Sequence, residues 1–170
     1  MSGLSMHAAS ADTFATMLAS LHGVLDKAEA HAKAKNFDAD ILLNARLAPD
    51  MFNLVGQIQL ATAFAKNAVC RLAGQAPPDF PDTDRSLAEL RARIDRTLDI
   101  VSSVDRGELE AGAVREVTFR TGPDQTITLP GAIYLTKFAL PNFYFHITMA
   151  YAILRHNGVE LGKRDYMGAP

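Results

Sequence analysis

His146 is the side chain whose setting most demands a chemical explanation. It lies in the run Phe143-Tyr144-Phe145-His146-Ile147-Thr148-Met149-Ala150-Tyr151, which places an imidazole among apolar neighbours although its ring nitrogens need partners. Asn142 stands one helical turn earlier. In another segment, Asp50, Asn53 and Gln57 follow one another at spacings of three and four, close to one face of a helix. If the two segments face each other, these groups line a pocket. His146 could act there as a general base or a metal ligand, because burial and a neighbouring carboxylate tune imidazole basicity. The alternative is a buried histidine held by hydrogen bonds that fix one helix against the other. Tyr151 could add a hydroxyl donor to such a pocket. His22, at the edge of an apolar stripe, could reach the interior from a third segment. His31 and His156 sit near helix ends, where a cation complements the dipole, and are expected to be solvated or structural. His7 precedes the first clear helix and is expected to be mobile. Cys70 is the only cysteine, which excludes an intramolecular disulfide and a cysteine-based zinc site. Its flanks predict a packing role.

The elements that must position these groups are mostly helical. Phe14, Met17, Leu18, Leu21, Val24, Leu25 and Ala28 form one apolar stripe and predict a helix over about residues 9–34, stopped near Asn36. Residues 36–50 read as a connector. Leu54, Ile58, Ala61, Ala65, Ala68 and Leu72 predict a second helix ending at Gly74. Pro77, Pro78 and Pro81 impose an extended link. Ser86 with Glu89 forms a capping-box signature for a third helix carrying Leu87, Leu90, Ile94, Leu98 and Val101. Alternation over 117–120 and 126–129 around Gly122-Pro123-Asp124 predicts a short β-hairpin. The last helix is expected to start near Pro141 and stop at Asn157-Gly158. It is apolar nearly all round, as befits a helix wrapped by others or lying in an oligomer interface. Residues 162–168 read as a loop closing over the end. The expected fold is all-α: a single domain over residues 1–170, a four-helix bundle with a long crossover and a small β-hairpin insertion before the last helix.

The chain has 170 residues, 48% of them hydrophobic, enough for a core without metal or disulfide support. A formal charge of -2 with scattered Lys and Arg gives no electrostatic footprint for nucleic acid. No stretch is long and apolar enough to span a bilayer, and the N-terminal residues lack the pattern of a secretory signal. No membrane association and a cytoplasmic location are therefore expected. A glycine-rich phosphate loop, a G-x-S-x-G elbow and an H-E-x-x-H motif are missing from the sequence.

Residues 140–146 (Leu-Pro-Asn-Phe-Tyr-Phe-His) and 150–159 (Ala-Tyr-Ala-Ile-Leu-Arg-His-Asn-Gly-Val), then Leu161-Gly162-Lys163, together with Arg46-Leu47-Ala48-Pro49-Asp50-Met51 and Gln57, form a recognisable set. On these the chain resembles a bacterial domain-of-unknown-function family within the DinB-like (DinB/YfiT-like) superfamily of metalloenzymes. The resemblance spans nearly the whole chain. It implies a four-helix bundle, frequently homodimeric, whose better-known members hold a divalent metal with three histidines, one from the second helix and two at HxxxH spacing from the last. Some members are thiol-dependent transferases or related metal-dependent enzymes. This sequence departs from that pattern. Asn142 stands where the first HxxxH histidine should be, the second helix has no histidine, and His146 is the only matching position. One imidazole among neutral amides suits a transition metal poorly, so nickel or zinc is possible but disfavoured. The expectation is a small-molecule-binding or structural homodimer with a degraded metal site. The rival expectation is a metal- or thiol-dependent transferase or hydrolase using His146 with Asp50 or His22. A third is an interaction module that docks another protein on its last helix.

Overall fold

The computed structural model describes residues 4–168, which are mostly helical with one two-stranded hairpin. The helices are α1 (Thr13–Lys35), α2 (Leu54–Leu72), α3 (Leu87–Ser103), α4 (Arg106–Ala111), α5 (Gly131–Tyr134), α6 (Leu140–His156) and α7 (Lys163–Met167); the strands are β1 (Glu116–Gly122) and β2 (Gln125–Pro130). Among the four long helices, α1 packs on α3 and α6, and α2 packs on the same two. Every residue of the apolar stripe predicted for the first helix is buried, as is every one predicted for the second.

The local signals explain most boundaries. Asn36 ends α1 in the left-handed conformation, φ 58°, a role suited to Asn because its short polar side chain tolerates that region. Asn53 caps α2 by accepting from the Gly56 N–H at 3.1 Å. Ser86 caps α3 by accepting from the Glu89 N–H at 3.1 Å. The return half of that capping box is shifted, because Glu89 accepts from the Arg85 N–H instead of the Ser86 N–H. A 3₁₀ turn, Ala39–Asn44, lies within the connector before α2.

Two expectations are corrected and a third is extended. The first helical turn begins at Met6, passes through a π-helical turn at Ala8–Asp12 and runs on into α1, so His7 is helical and lies 3.3 Å from Asp12 Oδ2. A carboxylate remote in sequence makes this possible: Glu110 on α4 accepts from the Met6 and His7 N–H groups at 3.0 and 3.1 Å, satisfying donors that a helix start leaves orphaned. The last helix, α6, starts at Leu140, near Pro141 as expected, but helical backbone leads into it. Helix is continuous from Gly131, through a π-helical turn at Leu135–Ala139, to His156. Proline inside a helix lacks a donor N–H and crowds the carbonyl four residues back, and the π turn immediately before Pro141 is where the ladder absorbs that mismatch. The tail is a short helix, not a loop: α7 docks on α1, with the Ser20 hydroxyl donating to the Tyr166 carbonyl at 2.7 Å and Lys27 Nζ 2.6 Å from Asp165.

The hairpin is antiparallel, with Val117 opposite Leu129 and Phe119 opposite Ile127, and it has a bulge near Arg120. Its inward side chains, Val117 and Phe119, are buried. Phe119 packs against Tyr134 at 4.9 Å and Phe138 at 4.4 Å between ring centroids. Phe138 in turn contacts Phe64 of α2, so a row of aromatic rings runs from the hairpin to the α2–α6 contact.

Candidate functional site

The row of rings ends at His146. Its imidazole stacks on Phe64, centroids 5.6 Å apart and planes 16° apart, and meets Phe145 edge-on at 5.3 Å. The residue is only 7% exposed. Its Nδ1 lies 2.8 Å from Oε1 of Gln57 on α2, and Gln57 is itself buried, donating from Nε2 to the Phe52 carbonyl at 3.1 Å. That second bond fixes the chemistry of the first. A carbonyl can only accept, so the Gln57 NH₂ must face Phe52, which leaves its oxygen for His146. His146 therefore carries its proton on Nδ1, and Nε2 keeps a lone pair with no partner among the described residues. Burial pushes the imidazole down from 6.5 to about 4; the ring is neutral at pH 7, because an apolar shell penalises the charged form.

The other expected members of the site do not join this pair. Asn142 donates to the Phe138 carbonyl at 2.8 Å, one turn back on its own helix. Asn53 is spent on capping α2. Asp50 is exposed, in a shallow depression with Arg46, Pro49, Met51, Phe52 and Asn53, and no carboxylate contributes to the His146 shift. Tyr151 lies further along α6, edge-on to Tyr166 at 5.7 Å, with its hydroxyl 3.5 Å from the Leu161 carbonyl. His22 bridges α1 and α3 at the surface, 3.7 Å from Asp26 and 3.6 Å from Asp95. Where a pocket was expected between the first, second and last helices, His146 and Gln57 pack against each other, and five surface cavities lie elsewhere, His146 lining none of the five. Phe64 was missed at the sequence level, although it stands seven residues after Gln57, on the same helical face. Cys70 is buried, its thiol pushed up by desolvation, as expected of a packing residue.

These residues do not fit a divalent metal. His146 offers one imidazole nitrogen, its neighbours are a neutral amide and two phenylalanine rings, and such a donor set suits a transition metal poorly. No three His, Cys, Asp or Glu side chains converge as a ligand set among the described residues.

Fold and site together define a DinB-like helical protein. The chain superposes on a DinB family member protein from Shewanella denitrificans, whose crystal structure was solved at 1.83 Å resolution, with a TM-score of 0.89 and 42% identity over 96% of this chain and 92% of that one. A family model, Domain of unknown function (DUF1993), matches residues 6–167, and the chain belongs to that family. No curated protein matches it. No helix of the described residues is long and apolar enough to cross a membrane.

Proposed function

We propose that this protein is a small-molecule-binding or structural member of the DinB-like group, a homodimeric four-helix bundle of the cytoplasm in which a hydrogen-bonded His146–Gln57 pair stands where relatives would ligate a metal. The observation that carries the reading is the closed set of bonds from His146 through Gln57 to the Phe52 carbonyl. Such a set rigidifies the contact between two helices and leaves no anionic donor to assemble a cation site. The homodimer part is supported by the outward face of α6, where Tyr144 and Phe145 are 38% and 51% exposed, and by Phe52 at 61%. Exposed aromatic side chains of this kind are enriched in interfaces between subunits.

The test uses protein purified without a metal-affinity tag, its metal content measured before and after incubation with nickel or zinc. The expected result is less than stoichiometric metal, unchanged by His146→Ala. Tight uptake of either ion that disappears in His146→Ala would overturn the reading in favour of a metal-dependent enzyme. Light scattering should give twice the 18.4 kDa chain mass; a clean monomer overturns the dimer.

A further inference from the structure

A second site lies farther along α2, nine residues beyond Gln57, or about 13 Å along the helix axis. Lys66 is only 5% exposed and lines a cavity of about 380 Å³ between α2, α3 and the proline-rich link, with the cations Arg71 and Arg93, the carboxylates Asp79 and Asp82, and Phe80. Lys66 Nζ donates to Asn67 Oδ1 at 2.9 Å and to the Pro78 carbonyl. Among the described residues no carboxylate lies within ion-pair distance of it. Two acceptors take two of the amine's N–H groups, so the third position carries either the ammonium's last N–H or, once the proton is lost, the lone pair.

Desolvation, ahead of any neighbouring charge, lowers this amine. Phe80 has three cations against it, Lys66 at 5.0 Å, Arg93 at 5.8 Å and Arg96 at 4.8 Å from the ring centroid. Contact with the ring favours an ammonium, but the two guanidiniums cannot release a proton and the amine can. Desolvation first, then Arg71 and Arg93, lower Lys66, opposed by Cys70 and the exposed Asp79. Asp82 and Asp84 on the link are engaged by Arg93 at 3.0 and 2.8 Å. Arg71 gives one N–H to the Tyr134 hydroxyl at 3.2 Å, and its other N–H groups have no protein partner among the described residues. The Arg71 guanidinium also lies over the Phe119 ring, 5.8 Å from its centroid, and lines the same cavity as Lys66, where its remaining N–H groups can serve a carboxylate.

From this geometry we infer that Lys66 forms an imine with a small carbonyl compound bearing a carboxylate, which Arg71 holds in the cavity under the link. The amine lone pair adds to the carbonyl carbon, the carbonyl π electrons move to oxygen, and proton transfer from nitrogen to oxygen gives a carbinolamine. Loss of its hydroxyl as water leaves the C=N bond. No oxidant or reductant is needed. This inference is independent of the His146 reading.

The test incubates the full chain with glyoxylate and cyanoborohydride at neutral pH, which reduces any imine to a stable carboxymethyl amine, and locates the label by peptide mass mapping. The chain has five other lysines, Lys27, Lys33, Lys35, Lys137 and Lys163, which serve as internal controls. Lys66 is expected to carry more label than any of them, because desolvation lowers its amine and so favours the neutral, nucleophilic form. Label confined to the five controls overturns the inference. Acetaldehyde, which lacks a carboxylate, should label Lys66 more slowly than glyoxylate, and Arg71→Met should abolish that preference. A preference that survives the substitution removes Arg71 from the site. Lys66→Arg, which keeps a donor for the Pro78 carbonyl, must lose the label entirely.

Discussion

Burial holds His146 at about 4 against 6.5 for an ordinary imidazole, so between these values the unfolded chain binds a proton that the folded one refuses. Stability linked to this group is fully present above pH 6.5 and drains away as the pH falls toward 4. The denaturation midpoint should therefore drop across that window, and His146→Phe should flatten the drop; an unchanged slope would place the titration elsewhere. The pairing with Gln57 makes a separate prediction. Gln57→Leu strands both the His146 Nδ1–H and the Phe52 carbonyl and should cost about 1–3 kcal/mol in urea unfolding. The double variant with His146→Phe removes donor and acceptor together, so its cost should be smaller than the sum of the single variants. Strict additivity would mean that the two side chains do not interact. At this scale the sequence was partly readable. The helical spacing brought Gln57 to His146, because a buried imidazole must find a partner on the facing helix. It misplaced Asn142 and Asn53 because both amides bond to backbone groups within four residues. Such local bonds require no chain closure and take precedence over distant ones.

The elements show the same division between local and distant causes. Periodicity located α1, α2, α3 and the hairpin, since each buries one continuous stripe. It located the start of α6 near Pro141 but not the helical turns over residues 131–139 that lead into it, because a first-turn proline gives no sign of the π turn before it. Nor did the sequence reveal the contact between Gly112 and Gly131, which are remote in sequence. A Cβ added at Gly131 would lie 2.0 Å from the Gly112 carbonyl oxygen, on backbone that is itself tied by the Gly131 N–H to the Arg115 carbonyl at 2.8 Å. Gly131→Ala should thus destabilise the chain by about 1–3 kcal/mol in thermal or urea unfolding, the range for overpacking a tight core; a neutral result would show the junction between hairpin and helix to be yielding. At the end of α1 the sign reverses. Asn36 sits at φ 58°, where glycine is at ease and alanine is strained, so Asn36→Gly should be neutral or better while Asn36→Ala loses on the order of 1 kcal/mol.

Across the whole molecule, regions distant in sequence are fastened by side chains rather than by regular structure. Glu110 clamps the first helical turn from α4, and its carboxyl is held below the usual range chiefly by the His7 and Met6 N–H groups. The clamp is complete above the ordinary carboxylate value and slackens as the pH falls through the lowered one. Protease cleavage within the first turn should accordingly be faster in Glu110→Gln than in the parent at pH 7; equal rates would show that the turn holds without it. Charge alone revealed none of these fastenings, because a sequence lists cations and carboxylates without saying which are buried. The buried Arg93, 1% exposed, is the clearest case: it bonds Asp84, Asp82 and the Pro81 carbonyl, while Asp84 also accepts from Gln59 at 2.9 Å. Screening at about 1 M salt shortens the reach of exposed charges to roughly 3 Å but barely penetrates a buried pair. The Lys27–Asp165 tie, with Lys27 49% exposed, is a magnet that brine weakens, whereas Arg93 is a rivet. In strong brine the C-terminal helix should be the first part to peel away, with the proline-rich belt still seated.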